Sequence, residues 1–232
     1  MSMEQNTPEV KASRRYDARA RRAQAERTRA TIVAVARRRF LADGYAATTV
    51  SAIAAEASVS VETIYKSFGG KPGLVRAIRE AALGGAGPTP AEDRSDALQA
   101  TERNPRKIIE GWGALTAEVA PLVAPILLLV RDAASDPEME RLQAELDEHR
   151  LARMTQNAQT LANGGHLREG VTVEQAAELL WTYTAPELYE LLVDKRDWPP
   201  QRFGAFVADA LIAALLPPEP PSRNPRHSRD HE

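Results

Sequence analysis

Residues 48–68, TTVSAIAAEASVSVETIYKSF, decide how the rest of the chain is read. Val50, Ile53, Ala54 and Ala57 recur at the i, i+3, i+4, i+7 spacing of one apolar face, which predicts a helix from about Thr49 to Ala57. Thr48 or Thr49 supplies a hydroxyl to cap its first amides. Ser58-Val59-Ser60 then turns the chain, with Val59 as an apolar plug and Ser60 as the cap of a second helix. That helix, Val61–Phe68, turns Ile64 and Phe68 inward and leaves Val61, Glu62, Thr63, Tyr65 and Lys66 outside. A short helix offering a hydroxyl, a phenol and an ammonium on its outer face fits a DNA major groove.

An ordinary helical hairpin with a wet polar face would share this pattern, but two features weigh against it. Alanine at 54, 55 and 57 lets the helices pack closely at a steep angle, as a helix-turn-helix requires. Charge is also unevenly spread. Residues 1–79 hold 15 Lys+Arg against 7 Asp+Glu, a net of +8, whereas residues 80–232 hold 15 against 25, a net of −10. The formal charge of −2 thus conceals a basic head and an acidic body, the asymmetry of a module that meets phosphate.

The motif follows a helix ending in Phe40-Leu41-Ala42-Asp43-Gly44-Tyr45 and precedes Lys71-Pro72-Gly73-Leu74. Over about residues 25–80 this arrangement resembles the DNA-binding domain of TetR-family transcriptional regulators. One departure is Ser58, where the family usually has Gly because the turn needs positive φ. The resemblance implies that Thr63 and Lys66 lie near bases, while Thr48, Thr49, Tyr65 and Lys71 grip phosphates. Ser60, Val61 and Glu62 complete the expected DNA-facing set. Glu62 repels phosphate but can accept a hydrogen bond from cytosine.

The 232 residues have room for one large domain or two small ones. There are no cysteines, which excludes disulfides, thiol catalysis and cysteine metal sites and suits a reducing cytosol. No apolar segment follows the polar N-terminus, so no secretory signal is expected. The longest apolar run, 119–130, is 12 residues long and holds Pro121 and Pro125, short of the roughly 20 residues a membrane helix needs. The expectation is a cytoplasmic protein.

The rest of the chain is helical in period, without strand-like alternation, so the fold class is all-α with nine or ten helices. Residues 1–24 read as a basic disordered arm, which either stays solvated or reaches DNA, and 25–83 as the DNA-binding domain. Residues 84–96 (GGAGPTPAEDRSD) read as a mobile linker, 97–216 as a helical body and 217–232 as a disordered tail. In the body, Pro105 to Val119, Leu122 to Ala134 and Asp136 to Leu161 carry helical patterns. Thr172 caps the next helix, which meets Pro186, and Pro199-Pro200 opens the last, ending at Leu216.

The resemblance further implies a homodimer built through the last two long helices and a pocket for a small effector. Phe203, Phe206, Val207, Ala210, Leu211 and Leu215 cover more than one face of the last helix, and the surplus asks for a partner. Trp112, Leu115, Leu122, Ile126, Val130, Met154, Trp181 and Tyr189 are the candidate pocket lining, though aromatic and Met residues at helical spacing also make plain core. Pro121, Pro125 and Pro186 would interrupt helices there. Their chemistry fits an uncharged or weakly polar ligand.

Catalysis finds little footing. His149 and His166 have no partner at metal-ligand spacing, and His227 and His231 lie in the tail. No nucleophile elbow or phosphate loop is present, so neither catalytic residues, a metal nor a cofactor is expected. A small helical enzyme, or a protein-binding adaptor with a basic nucleic-acid-binding head, is the alternative. The favoured expectation is a ligand-responsive regulator, a repressor by preference, that binds double-stranded DNA at a pseudo-palindromic operator as a homodimer and is released by its effector.

Overall fold

The computed structural model describes the backbone of residues 8–85, 87 and 89–218, and every element among them is helical. The order is α1 (Pro8–Asp43), α2 (Val50–Glu56), α3 (Val61–Phe68), α4 (Lys71–Leu83), α5 (Ala91–Thr101), α6 (Pro105–Asp132), α7 (Pro137–Asn163), α8 (Val173–Tyr183), α9 (Pro186–Tyr189) and α10 (Pro200–Leu215). A π-helical turn, Glu190–Asp194, follows α9 directly.

The described residues form two compact units. One gathers residues up to 83 together with 125–143; the other comprises 84–124 and the chain from 144 onward. The domains expected from sequence were contiguous, whereas residues 125–143 group with the first unit. This arises because α6 and α7 each run from one unit into the other. In the first unit Ile32, Val35, Ala36 and Phe40 of α1 are buried, as are Ile53, Ile64, Leu74 and Ile78 from α2, α3 and α4. Phe40 stacks on Tyr45 at 5.5 Å between ring centroids. The second unit packs Ile109, Trp112, Leu161, Ala177, Leu180, Phe203, Val207 and Leu211 into one core. In it α6 and α10 approach closely. A Cβ on Gly204 would stand 2.3 Å from the Gly113 carbonyl oxygen, so glycine is required there.

Four expectations need revision. Helix α1 begins at Pro8, so residues 8–24 are helical instead of a disordered arm; residues 1–7 and 219–232 lie outside the described residues. The expected linker is shorter than 84–96, because α5 starts at Ala91 with Glu92 and Asp93 in its first turn, where the helix dipole favours acidic groups. Helix α6 runs unbroken through Pro121 and Pro125. Each proline lacks an amide donor, and packing of the flanking Val123, Ala124 and Ile126, all buried, keeps the helix continuous. This makes α6 long and apolar enough by length and composition to cross a membrane, with mean hydropathy 2.0 over its best window. Ile108, Ile109, Trp112, Ile126 and Val130 of α6 are buried, and 33% of that window is buried in all. Finally, α8 stops at Tyr183, and Pro186 starts a new helical turn.

Capping follows the sequence closely elsewhere. Thr172 Oγ1 accepts from the Gln175 amide at 3.2 Å, and the Gln175 side chain accepts from the Thr172 amide at 3.1 Å. The two bonds satisfy donors that the first turn of α8 leaves open.

Candidate nucleic-acid interface

The helix-turn-helix forms with the boundaries that residues 48–68 predict. Thr49 caps α2 by accepting from the Ala52 amide at 3.1 Å. At its far end the Val59 amide reaches back to the Ala54 carbonyl at 3.0 Å, and Ser58 adopts φ 55. This is a left-handed helix stop made by a residue that carries a Cβ, at a modest strain. Ser60 caps α3, its Oγ accepting from the Thr63 amide at 3.1 Å and lying 2.8 Å from Thr63 Oγ1. Gly69, with φ 75, closes α3 by donating its amide to the Tyr65 carbonyl.

Only Ile64 of α3 is fully buried, with Phe68 half-buried beside it. Val61, Glu62, Tyr65 and Lys66 are exposed and Thr63 is half-exposed. Tyr65 is 55% accessible and Val61 39%, two of the five large apolar side chains exposed among the described residues. They stand at i and i+4, hence on one side of the helix. Such a face offers apolar contact for a thymine methyl beside the polar groups that read base edges. The α3 positions expected from sequence are therefore brought together on a single open surface.

Two of the expected phosphate contacts bond within the chain. Thr48 is 2% exposed, and its hydroxyl donates to the Gly44 carbonyl at 2.8 Å, so it holds the turn after α1 and does not face solvent. The Lys71 ammonium donates to the Tyr45 carbonyl and stands 4.1 Å from the centre of the Tyr45 ring. Desolvation lowers its pKa, with Asp136 and Glu138 opposing that shift. A lysine held in this way ties the start of α4 to the end of α1. Thr49 and Ser60 are exposed and remain beside α3, but each hydroxyl also caps a helix.

Three contacts that sequence reasoning missed support this surface. Arg38 and Arg39 on α1 both pair with Glu56 on α2, and these hydrogen bonds hold the Glu56 carboxyl below its usual pKa. The Arg29 guanidinium sits 4.6 Å from the centre of the Phe68 ring. Burial pushes the Tyr45 hydroxyl pKa up, with Glu138 and Asp136 adding to the shift, and that hydroxyl has no hydrogen-bond partner. Contacts between helices far apart in sequence leave no periodic signal, so none of these was readable beforehand.

The expected pocket residues divide between the units. Ile126 and Val130 belong to the first; Trp112, Leu115, Leu122, Met154, Trp181 and Tyr189 belong to the second. Trp112 and Tyr189 are buried and Met154 packs against the same core. The indole nitrogens of Trp112 and Trp181 are buried without an acceptor. In the expected dimer set, Phe203, Val207, Leu211 and Leu215 are buried within the chain's own core. Phe206 and Ala210 are half-buried, and Ala205, Asp209 and Ala213 are exposed beside them. Phe206 packs edge-on against Tyr183 at 6.3 Å and Trp198 at 5.8 Å. Among the described residues no three His, Cys, Asp or Glu side chains gather as a metal site.

Residues 32–78 match the family described as bacterial regulatory proteins, tetR family. No curated protein matches the chain. Among solved structures it is similar to a TetR-family transcriptional regulator from Syntrophomonas wolfei, at 18% identity and TM-score 0.66, covering 81% of this chain and 94% of that one. It is also similar to SmeT in complex with triclosan, at 21% identity and TM-score 0.63, covering 83% and 98%. A third is a transcriptional regulator from Saccharomonospora viridis in complex with choline, at 18% identity and TM-score 0.61, covering 83% and 100%. At these identities the likeness establishes the fold.

Proposed function

The chain carries a TetR-family DNA-binding domain over residues 32–78 within a TetR-like helical fold, and from that we propose a ligand-responsive repressor that binds its operator as a homodimer. The reading is of a DNA-binding regulator and not of an enzyme. One observation carries it: α3 buries Ile64 and presents Val61, Glu62, Tyr65 and Lys66 together on an open face. Thr63 and Lys66 then approach bases, while Thr49, Ser60 and Tyr65 meet the sugar-phosphate backbone and set the docking angle.

A single eight-residue helix reads few base pairs. Two copies about 34–36 Å apart would read two half-sites of a pseudo-palindromic operator. The half-buried Phe206 and Ala210, with exposed Ala205 and Ala213, are the part of α10 open to a second copy. The effector would enter the second unit, where the unpartnered indole N–H groups of Trp112 and Trp181 favour a neutral ligand with hydrogen-bond acceptors. Similar structures bind triclosan and choline. Such a ligand lowers DNA affinity if it binds the state unable to span both half-sites more tightly than the competent one. A cytoplasmic location follows from acting on DNA.

The test is retention of duplex fragments from genomic DNA by the purified full chain. A small set of sequences sharing a two-fold motif is expected, and release by a neutral acceptor ligand would identify the effector class. Retention of no particular duplex would refute the reading.

A further inference from the structure

Helix α1 is far longer than its packing requires. It spans Pro8–Asp43, and from Arg19 onward Ile32 is the first buried residue. Residues 19–31 therefore form about 20 Å of helix that no core explains. This segment holds 5 Lys+Arg against 1 Asp+Glu.

The helical register sorts these charges. Positions Arg19, Arg21, Arg22 and Arg29 fall within one arc of about 160°, and Arg27 lies outside it. Arg29 shows where that side faces: its guanidinium rests over the ring of Phe68, the last residue of α3. The cationic side of the extension thus shares its face of α1 with the contact to the end of the DNA-reading helix. Like charges at i, i+3, such as Arg19 with Arg22, disfavour an isolated helix. The Arg22–Glu26 pair at 3.1 Å is exposed and offsets little of this. A helix with no apolar stripe needs a partner, and a one-sided row of guanidinium groups matches a polyanion.

We propose that the N-terminal extension of α1 is a second phosphate-binding element, laying its arginine side along the duplex that flanks the site read by α3. The proposal rests on the DNA-binding reading above. It adds a sequence-independent contact outside the half-site, which raises affinity and makes it depend more steeply on salt.

The experiment compares the full chain with the triple variant R19Q/R21Q/R22Q on a selected duplex trimmed to its footprint and on the same duplex with 10 bp of unrelated flank at each end (about one helical turn). All three side chains are exposed, so the fold is retained, and an unchanged thermal transition checks this. Loss of three phosphate contacts lowers the slope of log K against log salt by about 2.7 on the flanked duplex, with roughly tenfold weaker binding at low salt. The trimmed duplex should bind both proteins alike. An unchanged slope on the flanked duplex, or an equal loss on both duplexes, would overturn the inference while leaving the DNA-binding reading intact. A wild-type chain that retains neither duplex would overturn both.

Discussion

A Cβ on residue 73 would stand 1.6 Å from the carbonyl oxygen of Phe68, so the first turn of α4 rests directly on the end of α3. Backbone meets backbone there, and no side-chain rotation can relieve the overlap. Gly73→Ala is expected to lower stability by about 1–3 kcal/mol, the usual cost of overpacking. Urea unfolding followed by circular dichroism checks this, and an unchanged midpoint would refute it.

Ser58 holds φ 55 at the turn between α2 and α3. Ser58→Gly removes the Cβ that makes this conformation costly, so the variant should gain up to about 1 kcal/mol. A thermal transition raised by about 2–4 °C, with DNA affinity unchanged, is the expected result.

Tyr45 carries a buried hydroxyl without a partner, and burial raises its pKa above the ordinary value near 10. Below pH 10 the phenol is neutral both folded and unfolded, so it leaves stability unaffected. Above pH 10 the unfolded chain loses the proton first, and stability falls as pH rises. Tyr45→Phe should be neutral or slightly stabilising at pH 7 and should flatten that alkaline decline. Denaturation curves at pH 7, 9 and 10.5 distinguish the two chains, and an identical decline in both would rule Tyr45 out as its source.

Lys66 and Lys71 are expected to respond in opposite ways. Lys66 is exposed on α3, so Lys66→Ala should leave the thermal transition alone and cost about 1–3 kcal/mol in discrimination between operator and mismatched duplex. The Lys71 ammonium is bound to the Tyr45 carbonyl, so Lys71→Ala should lower stability by about 1 kcal/mol. The salt dependence of DNA binding should not change. A slope reduced by about one in Lys71→Ala would restore a phosphate contact to that residue.

Ala213 is exposed on α10 beside half-buried Ile212 and Ala210. Ala213→Arg should shift the chain toward monomer in sedimentation at micromolar concentration while helicity is kept. A variant that sediments as the parent does would place the homodimer contact elsewhere.

The amino-acid order alone determined the all-helical class, the bounds of α3, the Ser60 and Thr172 caps, and the left-handed turn at Ser58. These are local matters: an apolar period of 3.6, a hydroxyl before a first turn, and a steric need for positive φ act within a few residues. Tertiary structure alone decided which polar groups remain free for a ligand. Thr48 and Lys71 are expected phosphate contacts in sequence, and the structure adds that they bond to the Gly44 and Tyr45 carbonyls. Likewise, Phe203 and Val207 become core because Gly113 and Gly204 bring α6 against α10. Burial depends on what arrives from distant parts of the chain, and a linear pattern records an apolar face without recording its partner.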